Sequence, residues 1–112
     1  MTNKKVETLL ARIKSIRADL EQIEEMRPGS LTQQYNQRGG KRWPYWQISY
    51  TQKRSKTEYI RDEFVNQIKS EIAEYKKFKS LMEKWVELSI ELSKEKIKIR
   101  KKELDLEKQL KS

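Results

Sequence analysis

The sequence contains no cysteine and no histidine, and only three glycines and two prolines. Without cysteine there is no disulfide, no thiolate nucleophile and no zinc–thiolate site. Without histidine the commonest general base and metal ligand is missing as well. There is no Ser-His-Asp set, no phosphate-binding glycine loop and no dinucleotide motif. Asp62 and Glu63 are adjacent, so they diverge on a helix and suit its positive end better than they suit acid–base catalysis. The sequence therefore predicts a protein without enzymatic activity, without a cofactor and without a metal. Long apolar runs are absent too, and the N-terminus turns amphipathic after Lys5. Neither a signal peptide nor a membrane span is expected, and a cytoplasmic protein is the default.

Charge is abundant instead. Lys and Arg number 26 against 17 Asp and Glu, and charged residues make up 38% of the 112 residues against 35% apolar. One domain is the most that length allows, and little apolar material is available for a private core. The net +9 is unevenly placed. Residues 1–26 hold five basic and five acidic side chains, and residues 62–112 hold thirteen and eleven. Residues 27–61 hold eight basic side chains and a single acid, Glu58. Mixed charge belongs to solvated helix faces. Unmixed positive charge attracts polyanions.

Periodicity divides the chain in three. Val6, Leu9, Ile13, Ile16, Leu20 and Ile23 follow one another at 3, 4, 3, 4 and 3 residues, which predicts a helix over 4–26 with Thr2 or Asn3 as its cap. Pro28-Gly29 stops it. A short strand is expected from Ser30 to Tyr35, a flexible turn at Arg38–Lys41, and a strand over Pro44–Thr51. Period two puts Trp46, Ile48 and Tyr50 on one face and Tyr45, Gln47, Ser49 and Thr51 on the other. A looser loop at Gln52–Ser55 leads into a return strand, Lys56–Ile60. A long helix follows from Asp62 to Ser112, with a stripe of Val65, Ile68, Ile72, Tyr75, Phe78, Met82 and Trp85. The fold class predicted is mainly α with a small antiparallel β element: a single α+β domain in which an antiparallel helical hairpin carries a short sheet at its tip. The first helix is expected to cover the first half of the second.

The tail fits one helix face poorly. Ile90, Ile97 and Leu104 share one heptad position and Leu92, Ile99 and Leu106 another, about 200° apart. Three readings stand: a helix between partners, a weakly ordered tail, or a strand through Lys96–Arg100. Leu9, Ile13, Ile16 and Leu20, together with those six tail residues, are the candidates for core, oligomer or partner contact. A homodimer or a heteromeric complex is the expectation.

Gly29-Ser30-Leu31, Tyr35, Gly40, Pro44 to Tyr50, Tyr59-Ile60-Arg61, Tyr75 to Phe78 and Trp85 to Leu88 form a run of motifs over about residues 26–95. That run resembles a family of short basic bacterial and archaeal proteins of unassigned activity, often encoded near mobile elements. The resemblance implies a mobile-element setting. Many relatives carry a small cysteine cluster before the Pro-Tyr motif. Residues 36–43 contain none here, so no zinc site carries over. The three-stranded arm-binding domain of tyrosine recombinases is a looser, fold-level analogy.

The basic, aromatic middle points to nucleic acid. Lys and Arg neutralise phosphates, aromatic planes stack on bases, and a β-ribbon can enter a major groove. The candidate contacts are Arg38, Lys41, Arg42, Trp43, Tyr45, Gln47, Lys53, Arg54, Lys56 and Arg61. The expectation is a DNA-binding accessory protein, with RNA less favoured, assisting a recombinase or transposase-type partner and having no membrane association. The alternative is a coiled-coil adaptor whose positive hairpin meets an acidic protein surface.

Overall fold

A computed structural model describes residues 3–111. Helix α1 (Lys4–Glu21) is followed by an extended segment and strands β1 (Ser30–Arg38), β2 (Lys41–Gln52) and β3 (Arg54–Ile60). A 3-10 turn at Asp62–Phe64 opens into helix α2 (Val65–Lys111). The order helix, small sheet, helix is the α+β class read from periodicity, with the two helices packed antiparallel. Two compact units divide within α2, one pairing the chain up to Gln22 with the part of α2 from Ser80 onward, the other spanning Ile23–Lys79.

In the first unit, the Asn3 side chain accepts hydrogen bonds from the amides of Lys5 and Val6, at 2.9 and 3.2 Å. This is the cap anticipated for Asn3; Thr2, the other candidate, lies outside the described residues. The helix ends at Glu21, five residues short of the predicted 26. Its last turn carries no basic residue, and Glu24 and Glu25 would add negative charge at the negative end of the dipole. Pro28 in turn disfavours helical geometry at Arg27.

Leu9, Ile13 and Ile16 of α1 and Leu81 and Leu88 of α2 are buried, and Leu20, Leu92 and Ile99 are partly buried. Lys5 is ion-paired to Glu95 at 3.5 Å, and the Arg17 guanidinium lies 5.9 Å from the centre of the Trp85 ring. These pairs set α1 antiparallel against the stretch of α2 from about Trp85 to Glu95. The expectation that α1 covers the first half of α2 is thus corrected, because the seven residues after Gln22 are spent as extended chain rather than as helix. No strand forms at Lys96–Arg100. That stretch is helical, as its poor strand formers allow.

The second unit is organised by Ile48. It is the one fully buried large side chain among the described residues, at 0% exposure. It packs with Ile60, Val65 and Ile68, and Leu31, Trp46, Tyr50 and Ile72 close around it. The predicted stripe is thus a sheet-packing face at Val65, Ile68 and Ile72, but it does not persist: Met82 is exposed. The strands lie in the order β1-β2-β3, both pairs antiparallel. The first hairpin closes at Gly39-Gly40, with φ of 57° and 76°, as a two-residue type I′ turn requires. That turn extends both strands well beyond Tyr35 and Pro44. The second hairpin is tighter than expected: Gln52 pairs with Arg54, and Lys53 alone takes the left-handed conformation at φ 65°.

Gly29 is where the extended segment meets this core. A Cβ there would lie 2.9 Å from both a side-chain carbon of Ile48 and the carbonyl oxygen of Ser49, at a φ of 138° that only glycine adopts readily. Gly29→Ala is expected to lower stability by about 2–4 kcal/mol, since backbone strain and overpacking add. Gly40→Ala, which meets nothing within 4 Å, is expected to cost about 1 kcal/mol. Denaturant unfolding followed by circular dichroism checks the order of the two.

Candidate nucleic-acid interface

Unbroken register on both sides of β2 assigns every sheet residue to a face. With Ile48 facing α2, the same side takes Leu31, Gln33 and Tyr35 from β1, Arg42, Trp46 and Tyr50 from β2, and Lys56, Glu58 and Ile60 from β3. The opposite, outer side takes Thr32, Gln34, Asn36 and Arg38 from β1, Lys41, Trp43, Tyr45 and Gln47 from β2, and Thr57 and Tyr59 from β3. Every strand residue of the apolar cluster around Ile48 belongs to the helix side.

The outer face has a definite composition. Tyr45 and Tyr59 lie diagonally across the β2–β3 pair, with ring centres 6.4 Å apart and planes tilted by 36°. Tyr59 and Trp43 are exposed at 65% and 56%, which is unusual for side chains of that size. Gln47 sits between Thr32 and Tyr59 across the strands, and Gln34 sits opposite Tyr45. Arg38 and Lys41 close the face at the glycine turn, and neither is ion-paired among the described residues. There is no carboxylate on this face.

Glu58, the only acid of the middle third, is turned to the other side and held there. It accepts from the Arg27 guanidinium and, at 2.5 Å, from the Tyr50 hydroxyl, while Arg27 lies 5.3 Å from the centre of the Tyr50 ring. The Tyr50 hydroxyl and then Arg27 hold the Glu58 carboxyl below its ordinary value. The same contacts raise Arg27 and Tyr50.

The sequence-predicted contacts therefore do not form one site. Arg38, Lys41, Trp43, Tyr45 and Gln47 share the outer face. Arg42 lies on the helix side, its guanidinium 4.3 Å from the centre of the Tyr35 ring. Arg54 and Lys56 share the parity of Ile48, and Lys53 is the hairpin tip. Arg61 follows β3, ion-paired with Glu63 at 2.7 Å and near the Phe64 ring. Tyr59, Gln34, Thr32 and Asn36 were missed. Parity held the signal for Tyr59: once Ile60 is assigned inward, its neighbour on a strand must point outward and meet Tyr45.

Among the contact candidates, Leu9, Ile13 and Ile16 are buried and Leu20, Leu92 and Ile99 partly so, which makes them seam between α1 and α2. Ile90, Ile97, Leu104 and Leu106 remain exposed. No cluster of metal-ligating side chains occurs among the described residues, and no helix is long and apolar enough to cross a membrane.

Because Glu58 is depressed by its folded-state partners, its contribution to stability is present above the ordinary carboxyl value of 4.5. That contribution is lost as pH falls through the folded value. Glu58→Gln should therefore weaken the protein at neutral pH and flatten the acid side of its stability profile, leaving less loss between neutral and acid conditions than in the native chain. Urea midpoints measured across the acid range check this. Comparison with family models, with curated proteins and with solved structures gives no match for this chain.

Proposed function

We propose that the chain is a non-enzymatic nucleic-acid-binding protein, with DNA the favoured ligand, and that the outer face of the sheet is its contact surface. The observation that supports this most is the sorting of charge by face. The outer side carries exposed aromatics, amides and cations and no carboxylate, while the one acid of residues 27–61 is held on the other side by Arg27 and Tyr50. Each component suits a polynucleotide. Arg38 and Lys41 supply phosphate contacts. Gln47 and Gln34 carry the paired donor and acceptor that can address an adenine edge. Trp43 and Tyr59 offer exposed planes for base or sugar contact. A β-sheet face laid on a groove is an established mode of DNA reading.

An accessory role beside a recombinase or transposase, in the cytoplasm, extends this reading through the family resemblance. The rival reading, an adaptor on an acidic protein surface, uses the same cations but gives no role to the amides and exposed rings.

Fluorescence anisotropy with labelled DNA tests the proposal. The logarithm of affinity should fall linearly with the logarithm of salt, at about −0.9 per phosphate contact. Replacing Arg38 and Lys41 together with Ala should flatten the slope by about 2 units. Gln47→Ala should weaken binding with little change in slope, because it contacts no phosphate. Arg54→Ala with Lys56→Ala should change the slope less than the Arg38 and Lys41 pair. A folded chain with no affinity for DNA or RNA at low salt contradicts the proposal and leaves the adaptor.

A further inference from the structure

Met82, Val86, Ile90, Ile97 and Leu104 of α2 are all exposed, Ile97 at 65%. They follow at 4, 4, 7 and 7 residues and fall within about 80° of the helix circumference at 100° per residue. The residues of α2 that meet α1, namely Leu81, Leu88, Leu92 and Ile99, centre about 140° away. From Met82 onward α2 therefore has two apolar faces, one of them covered by α1. The open face holds a shallow apolar groove lined by Met82, Trp85, Val86 and Ile90, with Ser93 and Lys94 at its far end.

Charge along the edge of this face says what covers it. Glu83 and Glu87 flank the first half, and Lys94, Lys101 and Lys108 flank the second, with Asp105 the one acid among them. Glu83, Glu87, Lys94 and Lys101 have no ion-pair partner among the described residues. A strip that is acidic at one end and basic at the other is complementary to itself when reversed. We infer that α2 pairs with α2 of a second copy of this chain, antiparallel, across the stripe from Val86 to Ile97.

In that register Val86 meets Ile97 of the second copy, and Ile90 meets Ser93. Glu87 then comes beside Lys94 of the second copy, and the two-fold axis repeats every contact. A parallel, in-register pair sets Lys96 beside Lys101 of its mate and leaves Glu87 unanswered, so charge selects the antiparallel form. The serine at the centre makes the seam narrow, and the smallest side chain falls where the helices cross. This pairing is independent of what the sheet binds. It gives one assembly two outer faces related by a two-fold axis.

Sedimentation of the full chain tests this, after nuclease treatment and in salt high enough to strip polyanions. The chain should be a dimer at high micromolar concentration. Ile90→Glu with Ile97→Glu should make it a monomer of unchanged helicity, because both side chains are already exposed in the single chain. Glu87→Lys should weaken the dimer by up to about tenfold, and adding Lys94→Glu to it should restore association. A spin label at Ser80→Cys should report a separation of about 35 Å in the antiparallel pair, against about 10 Å in a parallel one. A chain that stays monomeric overturns the inference. So does a dimer that survives the double glutamate substitution, or a short distance between the labels.

Discussion

Burial of one side chain, Ile48, governs the middle of this protein. A three-stranded sheet is too small to enclose a core of its own, so it must be sealed against something. Ile48 supplies the seal by meeting Val65 and Ile68 on α2 together with Ile60. Full burial of one such side chain contributes about 1.5–3 kcal/mol. Its larger consequence is geometric. A strand alternates, so committing Ile48 inward commits Gln47, Tyr45 and Trp43 outward, and the register carries the commitment to Gln34 and Tyr59 on the neighbouring strands. Gly29 is bound to the same constraint, because only a residue without Cβ lets the chain pass Ile48 and the Ser49 carbonyl.

The alternation also separates charge. Glu58 shares a side with Ile48 and is held by Arg27 and Tyr50, while Arg38 and Lys41 stand on the other side with no counter-ion among the described residues. A one-residue slip in β3 would turn Glu58 outward, beside Gln47, and bury Tyr59. The electrostatic character of the proposed interface thus follows from packing, and it needs no contact between its own residues.

How much of this was legible depended on how local the determinant was. The inward set of Trp46, Ile48 and Tyr50 followed from period two within one strand. The first helix and its Asn3 cap followed from 3.6-residue spacing and the capping preference of a short polar side chain. The glycine pair marked a turn, and its two positive φ angles account for strands longer than propensity suggested, since a type I′ turn lets pairing run to Arg38 and Lys41. The end of α1 was misplaced because hydrophobic spacing continues to Ile23, whereas the acidic last turn and the restriction that Pro28 puts on the residue before it stop the helix earlier. The ten proposed contacts were read as one cluster because sequence distance hides parity: Arg42 is adjacent to Trp43 and lies on the opposite side. The doubly apolar tail was visible in the sequence, but which set met α1 was not, because that depends on where the extended segment brings α1 down.

The proposed contact with nucleic acid is made by the outer face and by no other basic surface. The chain has three tryptophans, one in each environment that matters. Trp43 is on the outer face, Trp46 is against the core of the sheet and Trp85 is beside Arg17 in the helical unit. Heteronuclear NMR of the labelled chain, titrated with a short DNA duplex and then with its single strand, reads all three indole resonances at once. The Trp43 indole and the side-chain amides of Gln34 and Gln47 should shift with added DNA, while the Trp46 and Trp85 indoles hold. Shifts confined to the lysine-rich stretch of α2 from Lys94 to Lys102, with Trp43 unmoved, would contradict the proposal.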